Sequence, residues 1–142
     1  MKIRELAELS HCSTETIRYY ERIGLLPEAA RNASNYRVYS FAHAQRLRFI
    51  RNCRSLDMTH EEIRELLNYI DAPPNDCTPV TQLLVEHIHH VDVRLQALNE
   101  LKQQLEQLAH FCDHPGEVQD CGILCQLFDM EPEKLKPNTH VS

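Results

Sequence analysis

Apolar positions recur at helical spacing from the start of the chain. Ile3, Leu6, Ala7 and Leu9 predict a short helix over residues 2–9. His11-Cys12-Ser13 interrupts the pattern, and Ser13 or Thr14 can cap a second helix that runs through Thr16 and Arg22 to Gly24. Ile17, Tyr20 and Gly24 form one stripe on that helix, while Glu15, Arg18, Tyr19 and Arg22 form the other. A short helix, a tight turn and a second helix with arginines and a tyrosine on its free face is a helix-turn-helix signal. Many helical hairpins look similar, so the signal needs support from the rest of the chain.

Residues 27–40 carry too much turn chemistry for a helix, and the alternation in Asn35-Tyr36-Arg37-Val38-Tyr39 predicts a short strand or wing edge. Ser40 then caps a helix from Phe41 to about Leu56, with Ala44, Leu47, Ile50 and Cys53 on its inner face. Thr59-His60-Glu61-Glu62 is a capping-box pattern, and the helix it opens has Ile63, Leu66, Leu67 and Ile70 as its stripe. Asp71-Ala72-Pro73-Pro74-Asn75-Asp76 is the clearest linker. From Pro79 to about Phe111 runs one long pattern, in which Leu84, Ile88, Val91, Leu95 and Leu98, then Leu101, Leu105 and Leu108, make a near-heptad seam. About 33 helical residues span roughly 50 Å, longer than so small a chain buries alone. Its natural partner is the same helix of a second copy, since no other predicted helix matches it in length.

Charge sharpens the picture. The net charge of −6 hides a split: residues 1–54 hold ten basic and five acidic residues, and residues 55–142 hold five basic and sixteen acidic ones. A basic front on an acidic rear predicts a polyanion-binding module joined to a part with another task. With no Trp and only three Gly, the chain has neither a Gly-rich phosphate loop nor the turns of an all-β sandwich. Its first residues lack the apolar core of a signal peptide, and no run approaches the length of a membrane span, so a soluble cytoplasmic protein is expected. Six cysteines in that compartment read as thiols or metal ligands rather than disulfides.

Several of these motifs together resemble the MerR family of transcription regulators: Thr16-Ile17-Arg18-Tyr19-Tyr20-Glu21, Gly24-Leu25-Leu26-Pro27, Asn35-Tyr36-Arg37-Val38-Tyr39, and Leu56-Asp57-Met58 with Glu62-Ile63. The segments from Arg51 to Met58 and Glu86-His87-Ile88 are most similar to the cadmium- and lead-responsive branch. The resemblance implies a mainly α fold. It assigns a winged helix-turn-helix to residues 1–70, a linker to 71–78 and a long antiparallel coiled-coil dimerisation helix to 79–111. A metal-binding loop with a short helix follows over 112–128. Residues 129–142 lack periodicity and read as a disordered tail. The implied DNA contacts are Arg18 and Tyr19 in the major groove, Thr16 beside them on the same helix, Tyr36 and Arg37 of the wing on phosphates, and Arg54 as a further backbone contact. Tyr20 and Tyr39 read as core.

By the same resemblance the metal ligands are Cys77, Cys112 and Cys121. Cys77 precedes the long helix and Cys112 ends it, so one chain cannot bring them together. In an antiparallel dimer, Cys77 of one subunit would meet Cys112 and Cys121 of the other. Three thiolates favour thiophilic divalent ions. Copper-type regulators of the family have Ser where this chain has Cys77, which argues for a 2+ ion, Cd(II) or Pb(II) first. Mercury sensors share the C-x8-C spacing and zinc sensors often add a loop histidine, here His114, so Hg(II) and Zn(II) stay open. Cys125 is either a fourth ligand or a small apolar residue beside Ile123, Leu124 and Phe128, the second being favoured. His87 and His90 are either an accessory ion site or a solvated helix face, the second being favoured. Cys12 and Cys53 read as core thiols.

The family mechanism is activation by DNA distortion. The homodimer sits on promoter DNA between elements whose overlong spacer turns them by about 35° per extra base pair. Metal binding shifts the dimer to a form that bends and untwists the DNA for RNA polymerase. A sensor of organic ligands needs a large C-terminal pocket, for which about 30 residues after the helix are too few. An iron–sulfur switch needs closer thiolates than Cys112, Cys121 and Cys125 provide. No nucleophile motif or carboxylate pair points to an enzyme.

Overall fold

The computed structural model describes residues 1–112 and 116–131. The chain divides into two compact units, one from Met1 to Leu83 and one beginning at Leu84. The first unit opens with α1 (Ile3–Ser10) and α2 (Thr14–Arg22). Between them His11 takes the left-handed conformation, φ 53°, and stops α1. Ser13 Oγ then accepts the Thr16 N–H at 3.1 Å and starts α2. At the end of α2, Leu25 N and Leu26 N both donate to Tyr20 O, across a turn that needs φ +81° at Gly24. A Cβ there would meet nothing within 4 Å, so conformation rather than space calls for glycine.

The wing is smaller than the alternation predicts. Strands β1 (Ala30–Arg31) and β2 (Arg37–Val38) pair antiparallel, with Ala30 opposite Val38. Their connection is shaped by Asn32, whose Oδ1 accepts from Ser34 N and Tyr36 N, each at 3.0 Å. Helix α3 (Phe41–Ser55) buries Ala44, Leu47, Ile50 and Cys53, the four positions its period selects. Its first turn is tied by His43, whose Nδ1 accepts from Ser40 N while Nε2 reaches Pro27 O at 3.1 Å. In α4 (His60–Asp71) the Thr59/Glu62 capping box forms in both directions. Ile63, Leu66 and Leu67 are buried there, but Ile70, one residue before the helix ends, remains exposed, a departure from its predicted stripe.

Two clusters make the core of this unit. Leu6, Ile17, Leu26, Tyr39, Ala44 and Leu47 form one, and Leu25, Ile50, Cys53, Met58, Ile63, Leu66, Leu67 and Leu83 the other. Tyr20 packs against both, and Tyr39 is 2% exposed, in line with their reading as core. At about 1.5–3 kcal/mol for each large side chain removed from water, these clusters dominate the unit's stability. Guanidinium groups fasten the joints: Arg46 forms a two-point pair with Asp71 and donates to Leu25 O, while Arg64 donates to Ile23 O.

The second unit holds most of α5 (Thr78–Ala109), a turn of 3₁₀ helix at Val118–Asp120, and α6 (Gly122–Asp129). Every seam residue from Leu84 to Leu105 is exposed, between 38% and 58%. Such a continuous apolar stripe on one chain marks an interaction surface. His114 and most of the expected tail, residues 132–142, lie outside the described residues.

Candidate nucleic-acid interface and metal centre

The free face of α2 presents the side chains that the sequence assigns to DNA. Arg18 is exposed, and Thr16 is half-buried with its Oγ1 2.8 Å from Ser13 Oγ. Tyr19 is braced on three sides. Its ring centroid lies 5.9 Å from that of Tyr20 and 5.7 Å from that of His60, and the Arg22 guanidinium sits 5.5 Å over the ring. His60 is a residue the sequence reading passed over. Its only signal was its place as the first residue of a capped helix.

In the wing, Tyr36 is 67% exposed and Arg37 is exposed beside it, so both are accessible for phosphate contact. Arg54 is also exposed, but its guanidinium donates to Met58 O at 2.5 Å and so helps hold the turn between α3 and α4. Behind the interface, the Tyr39 hydroxyl donates to Glu21 Oε1. Burial first, and then this bond, push the Tyr39 phenol up to about 12, with Arg37 opposing.

The cysteines separate into two kinds. Cys12 and Cys53 have thiols raised by burial, which keeps them neutral, and Cys12 Sγ donates to Ser10 O at 3.4 Å. Cys121 is the opposite case. It stands at the N-cap of α6, where the Leu124 N–H and then the Ile123 N–H hold its thiol below the ordinary range. Burial opposes them, and a hydrogen bond with the Cys112 side chain, the smallest of these effects, acts in the same direction as the two N–H groups. The structure therefore brings Cys112 and Cys121 together, two sulfur donors of the kind that ligate soft metals. Cys77 is exposed directly before α5, where Asp76 Oδ1 accepts the Thr78 N–H at 2.8 Å. Cys125 is exposed on α6, and its N–H donates to Cys121 O at 3.1 Å. His87 and His90 lie one turn apart on α5; His90 is exposed, but His87 is buried, which corrects the expected solvated face at that position.

Residues 1–70 match the MerR HTH family regulatory protein description, and residues 44–108 match the one for MerR, DNA binding. A curated relative from Haemophilus influenzae, the HTH-type transcriptional regulator ZntR homolog, is 43% identical over 108 residues, 76% of this chain and 80% of the relative. The chain belongs to the MerR family. Among MerR family structures, the transcription regulator PbrR691 from Ralstonia metallidurans CH34 in complex with lead(II) superposes with a TM-score of 0.80. It is 44% identical, with 89% of this chain and 98% of that one covered. The MerR regulator of Bacillus megaterium MB1 in complex with mercury(II) gives a TM-score of 0.69 at 30% identity, over 90% of this chain and 99% of that one. As a MerR family member the chain is a metal-responsive, DNA-binding transcription regulator and not an enzyme. Among the described residues, no helix is long and apolar enough to cross a membrane.

Proposed function

We propose that this regulator is a cytoplasmic homodimer that activates metal-resistance promoters in response to a soft divalent ion, Cd(II) or Pb(II) before the others. The ion would be held by Cys112 and Cys121 of one subunit and Cys77 of the partner subunit. The observation that carries the reading is the contact between the Cys112 and Cys121 side chains, with Cys121 at the start of α6. Two thiol donors fit a thiophilic ion and leave a coordination position for a third. Cys77 can supply it only in trans, because the 32 residues of α5 separate it from Cys112 in its own chain. The exposed seam of α5 supports the pairing that this requires. When bound, the ion supplies charge neutralisation and a rigid link among the three thiolates. The preference for lead rests on the likeness to PbrR691 in its lead(II) complex.

On promoter DNA, Thr16, Arg18 and Tyr19 would read the major groove while Tyr36, Arg37 and Arg54 hold the backbone. The metal-bound dimer would distort an overlong spacer so that RNA polymerase engages both elements. Zinc is the second reading, favoured by the relative named as a ZntR homolog. Competitive titration of Cd(II), Pb(II), Zn(II) and Hg(II), read by promoter-driven transcription in vitro, ranks the inducers.

The inter-subunit site has a direct test. Cys77→Ser protein is mixed with a Cys112→Ser, Cys121→Ser double variant, and the subunits are left to exchange. Neither homodimer retains a complete site, whereas the heterodimer has all three cysteines at one end. It should bind one Cd(II) tightly per dimer, with the ultraviolet charge-transfer band of a cadmium thiolate. Two tight sites in Cys77→Ser homodimers alone would instead assign Cys125 in place of Cys77.

A further inference from the structure

The two cysteines that meet in the second unit are chain neighbours of two other residues, Phe111 and Gly122, that approach each other closely. A Cβ built on Gly122 would lie 2.2 Å from Phe111 O, 3.1 Å from Phe111 C and 3.4 Å from Phe111 Cβ. The first distance is roughly 1 Å inside the closest approach of carbon and oxygen. The obstruction is a backbone carbonyl, so no side-chain rotation relieves it. It is also fixed on both sides. Phe111 N donates to Leu108 O at 3.1 Å and Cys112 N to Ala109 O at 3.2 Å, which holds the last turn of α5. Opposite, Cys125 N donates to Cys121 O at 3.1 Å, which holds the first turn of α6. Cys112 follows Phe111 and Cys121 precedes Gly122, so the close approach at 111 and 122 lies directly beside both thiols.

We propose that Gly122 is the positioning residue of the metal centre: lacking a Cβ, it lets α6 close on the Phe111 carbonyl and seats Cys121 against Cys112. The proposal rests on the assignment of those two cysteines as ligands, and it concerns only the chain's own packing.

The test is Gly122→Ala in the full-length dimer, with Ile123→Ala as a neighbouring control and Cys112→Ser and Cys121→Ser as ligand controls. One readout is Cd(II) affinity by competition against a chelator. The other is metal-free: the rate at which diamide, taking up two electrons and two protons, joins Cys112 and Cys121 in a disulfide, followed by peptide mapping. Gly122→Ala should lower Cd(II) affinity at least tenfold and slow the disulfide at least fivefold. Its helix content and dimer mass should match wild type, and Ile123→Ala should leave the disulfide rate within twofold. A wild-type disulfide rate in Gly122→Ala overturns the proposal. So does loss of helix content or of the dimer, since Gly122 would then act on the fold at large. Wild-type Cd(II) affinity in Cys112→Ser or Cys121→Ser would instead remove the ligand assignment, and the disulfide rate would still judge the packing by itself.

Discussion

Arg18 and Arg54 show how the same side chain divides between recognition and architecture. Arg18 stands exposed on α2, whereas Arg54 donates to Met58 O. Arg18→Ala should therefore weaken binding to an operator selected from random duplexes by about 1–3 kcal/mol, with unfolding in urea unchanged. Arg54→Ala should lower both. A mobility-shift titration at fixed salt beside a urea melt separates the two, and a wild-type operator affinity for Arg18→Ala would remove it from the groove. Tyr39 offers a prediction in pH. Its phenol is raised from 10.0 to about 12, by burial first and then by the bond to Glu21, so the folded chain holds this proton more tightly than the unfolded one. That contribution is complete below pH 10 and is lost as pH climbs through 12. At pH 7, Tyr39→Phe should cost about 1.5–3 kcal/mol, the range for a hydrogen bond to a charged group. The gap from wild type, followed by urea melts from pH 7 to 11.5, should narrow above pH 10. A constant gap contradicts it.

Helices were the most legible elements because their periods are set locally. The inner face of α3, the capping box of α4 and the extent of α5 are all written in residue spacing. Features that depend on partners distant in sequence were not. His43 caps α3 while reaching back to Pro27, Asp71 meets Arg46 across 25 positions, and Gly122 is constrained by a carbonyl eleven residues away. Spacing alone names neither the partner nor the need. The wing lies between these cases, since alternation revealed a strand near Arg37 but not its two-residue length or its mate at Ala30–Arg31. The cysteines divide likewise: the family resemblance singles out Cys112 and Cys121, but only the start of α6 shows what holds the Cys121 thiol below its ordinary range. For α5 the seam makes an element-level prediction. Leu95, 58% exposed in one chain, should face its counterpart in a dimer, so Leu95→Glu should yield monomers with weakened operator binding. Sedimentation at micromolar concentration decides it, and a persistent dimer would place the interface elsewhere.

Across the whole molecule, the charge split between front and rear concentrates ten basic residues in the first 54. The structure divides that number. Arg31, Arg46, Arg51 and Arg54 each donate to a backbone carbonyl, and Arg46 is also paired with Asp71. These four keep the wing, the turns and the helix ends in place, and for Arg31, Arg46 and Arg51 reach is limited by that task. Six other basic residues remain in the segment, and Arg54, also assigned to the DNA backbone, makes seven. Association with DNA displaces the cations condensed along the duplex, and each phosphate neutralised adds about −0.9 to the slope of log affinity against log salt. Twenty cations in a dimer would give a slope near −18, but fourteen bound it at about −13. Titration of the selected operator between 50 and 300 mM salt should therefore give a line no steeper than about −13. The bonds that hold the first unit together thus set a ceiling on how strongly the cell's ionic strength can govern its grip on DNA.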